Sequence, residues 1–202
     1  MTSLVKIVGL AVLPFVTFVK VATFLYGHEH YPTALALAGG AACTGAIVAA
    51  YLVWLARRLD RRVAFAPLVR RVVLPVVVAY TGYALFYLSS ANVKSERVRS
   101  YYASLHPLLR LALSTATIAD RDLMITDLAR DHGDYAAMGL AAYDGSLHYR
   151  QRDGYAHAAD LRTAGRSEVK NRLVQAYFWS MGFVTLRHVG TADHLHVELS
   201  AR

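Results

Sequence analysis

Residues Thr33 to Leu55 read TALALAGGAACTGAIVAAYLVWL and carry no charge. A helix needs about 20 apolar residues to cross a hydrocarbon core of about 30 Å, so this stretch is expected to span a membrane. Its middle, Gly39-Gly40-Ala41-Ala42-Cys43-Thr44-Gly45, holds small residues that let helix backbones approach where lipid supplies no hydrophobic drive between helices. Packing within the membrane unit is the expected use, and a homo- or hetero-oligomer through this second helix is the alternative.

Outward from it, two further apolar runs complete a membrane region over residues 1–91. Leu4 to Tyr26 is interrupted only by Lys6 near one end and Lys20 inside. Phe24, Leu25 and Tyr26 stand where a secretory signal would place a small-residue cleavage site, so the run reads as an uncleaved span, with Lys20 snorkelling toward the interface. Val72 to Ala91 carries Pro75 in its first turns and Tyr80, Tyr83, Phe86 and Tyr87 toward its end, a pattern suited to an interfacial aromatic belt.

The loop between the second and third runs sets the orientation. Arg57, Arg58, Arg61, Arg62, Arg70 and Arg71 crowd there against Asp60, and positive loops stay cytoplasmic. The N-terminus is then inside, Gly27 to His30 outside, and everything after Ala91 outside. This predicts a multi-pass inner-membrane protein with the lipid bilayer as its first partner and a periplasmic or external domain over 92–202. Much of the net charge of +8 lies in the arginine loop, which reads as a topological signal and speaks against a nucleic-acid face.

The C-terminal half has the mixed polar and apolar pattern of a folded domain. The one cysteine, Cys43, falls inside a span, so the domain is stabilised by its core or by a metal and not by a disulfide. Leu105 to Ala119 has helical spacing with a proline near its start. Leu123 to Thr126 reads as a short strand leading toward Arg130, and Asp131 to Asp134 as a loop. Ser167 to Met181 reads as an amphipathic helix capped by Ser167 and stopped by Gly182. Phe183 to His188 and His194 to Leu199 are strand-like, with a Gly190-Thr191 turn between them. The sum is an α+β domain after an α-helical membrane region.

Two clusters carry chemistry. The first is Ser146-Leu147-His148 followed by Ala158-Ala159-Asp160-Leu161-Arg162-Thr163, and the second is Asp193-His194-Leu195-His196-Val197-Glu198-Leu199. A hydrolytic zinc takes three His or carboxylate ligands and keeps a position open for water, and His148, Asp160 and His196 are candidates. Residues two apart on a strand share a face, so His194 and His196 point one way, with Asp193 and Leu195 opposite unless a bulge or the strand's start intervenes.

These segments resemble the D-alanyl-D-alanine carboxypeptidase family of zinc peptidases, which shares its fold with the hedgehog signalling domain. That family shows Ser-x-His-x-x-Gly-x-Ala-x-Asp and, late in the chain, acidic-x-x-His. The resemblance spans Leu105 to Leu199 and implies a Zn2+ cofactor held by His148, Asp160 and His196. It further implies Asp193 as general base, Arg130 as electrostatic stabiliser of the oxyanion, Ser146 at the substrate, and the D-amino-acid-containing peptide of peptidoglycan as substrate. One departure stands out: His148 and Asp160 are twelve residues apart where the family has seven. Five residues within Tyr149 to His157 are looped out or displace a ligand, and His157 and His194 are the alternative ligands.

Overall fold

The computed structural model describes residues 2–60, 64–137, 139, 145–190 and 193–200, with side chains placed from residue 12 onward except at 132 and 135. The chain divides into two units, one up to Tyr83 and the other from Ala84.

In the first unit the apolar runs are helices: α1 (Thr2–Gly27), α2 (Thr33–Arg58) and α3 (Phe65–Phe86). Two of them, α2 and α3, are long and apolar enough to cross a membrane; the apolar part of α1 with placed side chains, Val12–Gly27, is shorter. The third helix starts at Phe65 and ends at Phe86, not at the expected Val72 and Ala91. Pro67 fits a first helical turn, where its missing N–H serves no bond. Pro75 lies inside the helix, where it cannot donate to the carbonyl four residues back, and the preceding turn, Val69–Val73, opens into a π-helical turn.

The glycines of α2 are occupied by close helix approach. A side chain on Gly40 would stand 2.7 Å from the backbone oxygen of Phe18, and one on Gly39 would collide with Leu25, so both belong to the packing of α2 on α1. Thr44 is fully buried and donates to the carbonyls of Pro14 (3.0 Å) and Gly40 (2.9 Å). Gly45 faces Val73 and Val77 of α3.

The second unit is α+β. After α3 the chain turns through Ser90–Asn92, and the Asn92 amide donates to the carbonyls of Arg121 and Leu123, each at 2.9 Å. A short helix α4 (Glu96–Ser100) follows, then α5 (Pro107–Ala119), with Pro107 in its first turn. Every residue of α5 from Pro107 to Thr117 is buried, so it is the central helix of the domain. Two of its polar side chains bond within the domain: Arg110 donates to Leu85 O at 2.8 Å, and Ser114 meets the Tyr102 hydroxyl at 2.9 Å. Asp131 to Asp134, expected as a loop, opens the short helix α6 (His132–Ala137); Asp131 and Asp134 cap each other's backbone N–H groups at 3.0 and 2.9 Å. The last helix, α7 (Glu168–Met181), has Ser167 accepting from Lys170 N–H and Gly182 closing it at φ +98°, a left-handed conformation that suits glycine.

The strands β1 (Ile125–Asp127), β2 (Ala158–Arg162), β3 (Val184–His188) and β4 (His194–Glu198) form one antiparallel sheet in the order β1-β2-β4-β3. Within the expected turn of the last hairpin, Thr191 lies outside the described residues. Asp160 pairs with His196 and Leu186 with His196 on its other side. Alternation therefore places Asp160, His194, His196, Glu198, Val184, Leu186 and His188 on one face. On the other face Leu161, Leu195 and Val197 join α5 and α7 in the core, with Phe178 fully buried there.

Candidate metal centre

His148, Asp160 and His196 come together on one face of the sheet, with one potential ligand atom from each within 4.8 Å of the others. Asp160 is the hub. Its Oδ1 lies 2.8 Å from His196 Nδ1 and 3.4 Å from His148 Nε2, and its Oδ2 accepts from Arg130 at 3.0 Å. Ligand atoms about 2.0–2.1 Å from a tetrahedral zinc stand about 3.3 Å from one another, a spacing these two contacts bracket.

The looped-out residues explain how the ligands meet despite their separation in sequence. Arg150 and Ala156 pair as an antiparallel bridge, Gln151 N–H donates to Tyr155 O at 2.8 Å, and Gly154 takes φ +83° in the turn. His157 N–H then donates to Leu147 O at 2.7 Å, so the chain leaves and re-enters at one level. The extra residues form a hairpin and do not separate His148 from Asp160.

The tautomer of His148 is fixed by its surroundings. Its Nδ1 contacts the carbonyl of Leu128, which only accepts, so that nitrogen carries the proton. Arg130 N–H donates back to His148 O at 2.9 Å. A bulge between Ile125 and Asp127 shifts the β1 register beside it. The Nε2 lone pair of His148 is thereby aimed at a carboxylate oxygen, with His148 3% and Asp160 5% exposed. Lone pair against anion is repulsive at that range in a poorly solvated place; a proton or a metal cation belongs between them.

A second group of possible ligands, His106, Asp153 and His157, sits at the base of the hairpin. Its geometry differs. His106 Nδ1 accepts from Leu108 N–H at 3.3 Å as a helix cap, which leaves its proton on Nε2, facing Asp153 at 3.7 Å. His157 Nε2 lies 2.8 Å from the same Asp153 oxygen. The His157 bond to Asp153 needs a proton on Nε2, which leaves the buried Nδ1 of His157 without a partner. Burial would raise the Asp153 carboxyl, but the Tyr155 N–H and His157 bonds outweigh it and hold it below its ordinary value. His157, one of the alternative ligands, therefore belongs to a different cluster.

The remaining candidates fall as follows. His194 Nε2 is 3.9 Å from Asp160 Oδ1, and its ring stacks on His188 at 4.6 Å. Ser146 is buried, and its Oγ accepts from His148 N–H at 3.3 Å, shaping the loop that carries the ligand. Arg130 is held by two carboxylates, Asp127 at 2.6 Å and Asp160. Asp193 is turned to the opposite face, where Arg187 grips it through two bonds at 3.0 and 3.1 Å and Thr163 donates at 2.9 Å. These bonds hold the Asp193 carboxyl below its usual range. Glu198 shares the site face, with Oε2 3.2 Å from His196 Nε2. Its position was legible in the strand period, two residues beyond His196.

Burial would raise the Asp160 carboxyl, but in the metal-free protein the protons that His148 and His196 present to it hold it far below the ordinary range. In the metal-free protein the Asp160 bond raises the His196 pKa, burial opposes it, and Glu198 adds to the rise. A raised folded-state pKa stabilises fully below the unfolded histidine value of about 6.5 and loses that contribution as pH climbs through the folded value. A metal needs the neutral ring and competes with this proton. Metal affinity is expected to rise with pH, approaching about tenfold per unit below the raised value. Metal titration of the full chain from about pH 6 to pH 8 reads this, and a flat response removes His196 from the ligand set.

No family model, curated protein or solved structure matches the chain.

Proposed function

We propose that the chain is a membrane-anchored zinc metallopeptidase that trims D-amino-acid-containing peptides of peptidoglycan from the external side of the inner membrane. The observation that carries it is the placement of His148, whose Nδ1–H is held by the Leu128 carbonyl so that Nε2 is aimed, with His196 Nδ1, at one buried carboxylate oxygen. The donor set, two imidazoles and a carboxylate, fits zinc and leaves room for water. The apolar helices α2 and α3 and the arginine loop support the anchored, outward-facing topology, and the motif resemblance supports the substrate class.

When bound, zinc supplies Lewis acidity and lowers the pKa of a water it holds. The chain's own groups do the rest. Arg130 holds the second oxygen of Asp160 and so positions the ligand. Glu198, on the face where water and substrate arrive, takes the proton that the resemblance assigned to Asp193 and returns it to the leaving amine. Exposed Val184 and Leu186 beside Glu198 and His196 offer the substrate an apolar wall.

The test is metal content and hydrolysis of a D-alanyl-D-alanine-terminated wall peptide by the full chain in mild detergent. Glu198→Gln is expected to keep the metal and lose about 100-fold or more in kcat, in line with a lost general base, while Asp193→Asn keeps both. Reversal of the two variants returns the base to Asp193. A second reading, a non-catalytic wall-peptide binder of the same build, is favoured by the engagement of Asp193 with Arg187, and it predicts bound metal and peptide without turnover. Absence of metal under saturating zinc overturns the metallopeptidase reading.

A further inference from the structure

Within the membrane unit an open apolar cavity of about 390 Å³ lies between α2 and α3. Gly45, Ala46 and Ala49 form one wall, and Val69, Val73 and Val77 form the other. Its shape comes from two local features. Small residues leave α2 without bulk on this side, and the π-helical turn Val69–Val73 before Pro75 alters the helical face that opposes it.

The charged residues that flank it in sequence are mostly basic. Arg70 and Arg71 belong to the same turn as the lining residues Val69 and Val73, and both are exposed. Arg57 and Arg58 end α2, with the Arg58 guanidinium 5.2 Å from the centre of the exposed Trp54 ring, an arrangement suited to the headgroup level. From Arg57 to Arg71 the sequence offers Asp60 as its one acid.

We propose that this cavity holds one acyl chain of an anionic phospholipid, with its phosphate met by Arg70 and Arg71. The inference rests on the membrane reading of α2 and α3. At membrane depth an apolar groove is filled by hydrocarbon, since a void forfeits dispersion contacts on every wall. The volume suits about a dozen methylene-sized groups, close to one acyl chain. The glycines that favour close helix packing, Gly39 and Gly40, are already covered by α1. Basic groups beside the cytoplasmic end of a groove select an anionic headgroup over a zwitterionic one.

The experiment uses the full chain, expressed in membranes and washed with alkaline carbonate before anything else is measured. Recovery in the wash overturns the membrane reading and this site with it. The chain retained in the membrane is then extracted in mild detergent, exchanged with equal amounts of dioleoyl phosphatidylglycerol and dioleoyl phosphatidylcholine, and weighed by native mass spectrometry. One phosphatidylglycerol per chain is expected, preferred on the order of tenfold or more, since each arginine near an anionic headgroup contributes to selection. Arg70→Gln with Arg71→Gln is expected to bring the two lipids to parity. Gly45→Leu fills the groove and is expected to remove both; Ala46→Leu gives a second filling variant should the first fail to fold. Equal retention of both lipids by the unaltered chain, or loss of lipid replaced by a dimer, overturns the proposal.

Discussion

Asp160→Ala is expected to abolish metal binding and to lower the stability of the metal-free chain by about 3 kcal/mol or more, the scale for breaking a buried ionic cluster from one side. The carboxylate answers three groups at once: His196 and His148 on one oxygen and Arg130 on the other. Its removal takes one of two carboxylates from the Arg130 guanidinium, 16% exposed, and leaves His196 to Glu198. Asp160→Asn keeps the shape and hydrogen-bonding capacity but drops the charge, so it is expected to lose the metal while recovering part of the stability. Denaturant unfolding in a chelator, beside metal content, separates the two effects. Full metal loading of Asp160→Ala would move the centre elsewhere, and an unchanged midpoint in chelator would show that the cluster adds nothing to folding.

Phe178→Ala is expected to cost about 3–5 kcal/mol with no change in metal stoichiometry while the chain remains folded. Phe178 is fully buried on α7, edge-on to Tyr177 at 5.0 Å and to Phe183 at 5.9 Å. It lies on the face of the sheet away from the ligands, so its truncation leaves a cavity under β3 and β4 but touches no group of the site. The measurement is the unfolding midpoint of the full chain with and without added zinc. A midpoint shift equal to that of Asp160→Ala, together with metal loss in the folded protein, would mean that the core and the site are coupled more tightly than two faces of one sheet imply.

The sequence by itself determined the features that depend on neighbours along the chain. The uncharged run from Thr33 made a long apolar helix, because nothing in it interrupts or solvates one. Pro107, Ser167 and Gly182 marked helix ends through their own backbone chemistry. The alternation in β4 put His194, His196 and Glu198 on one side, and the same alternation already set Asp193 on the other.

Tertiary structure decided what depends on partners distant in sequence. The strand β2 escaped reading because its residues from Ala158 to Leu161 are all buried, so it lacks the polar and apolar alternation that announces a strand. Whether the extra residues after His148 separate it from Asp160 was decided by a hairpin that closes between Arg150 and Ala156. The fates of Asp193 and His157 were set by Arg187 and Asp153, and the tautomer of His148 by the Leu128 carbonyl. A spacing motif names side chains able to bind a metal. Which of their lone pairs remain bare is fixed by the donors and acceptors that folding brings against them, and those come from elsewhere in the chain.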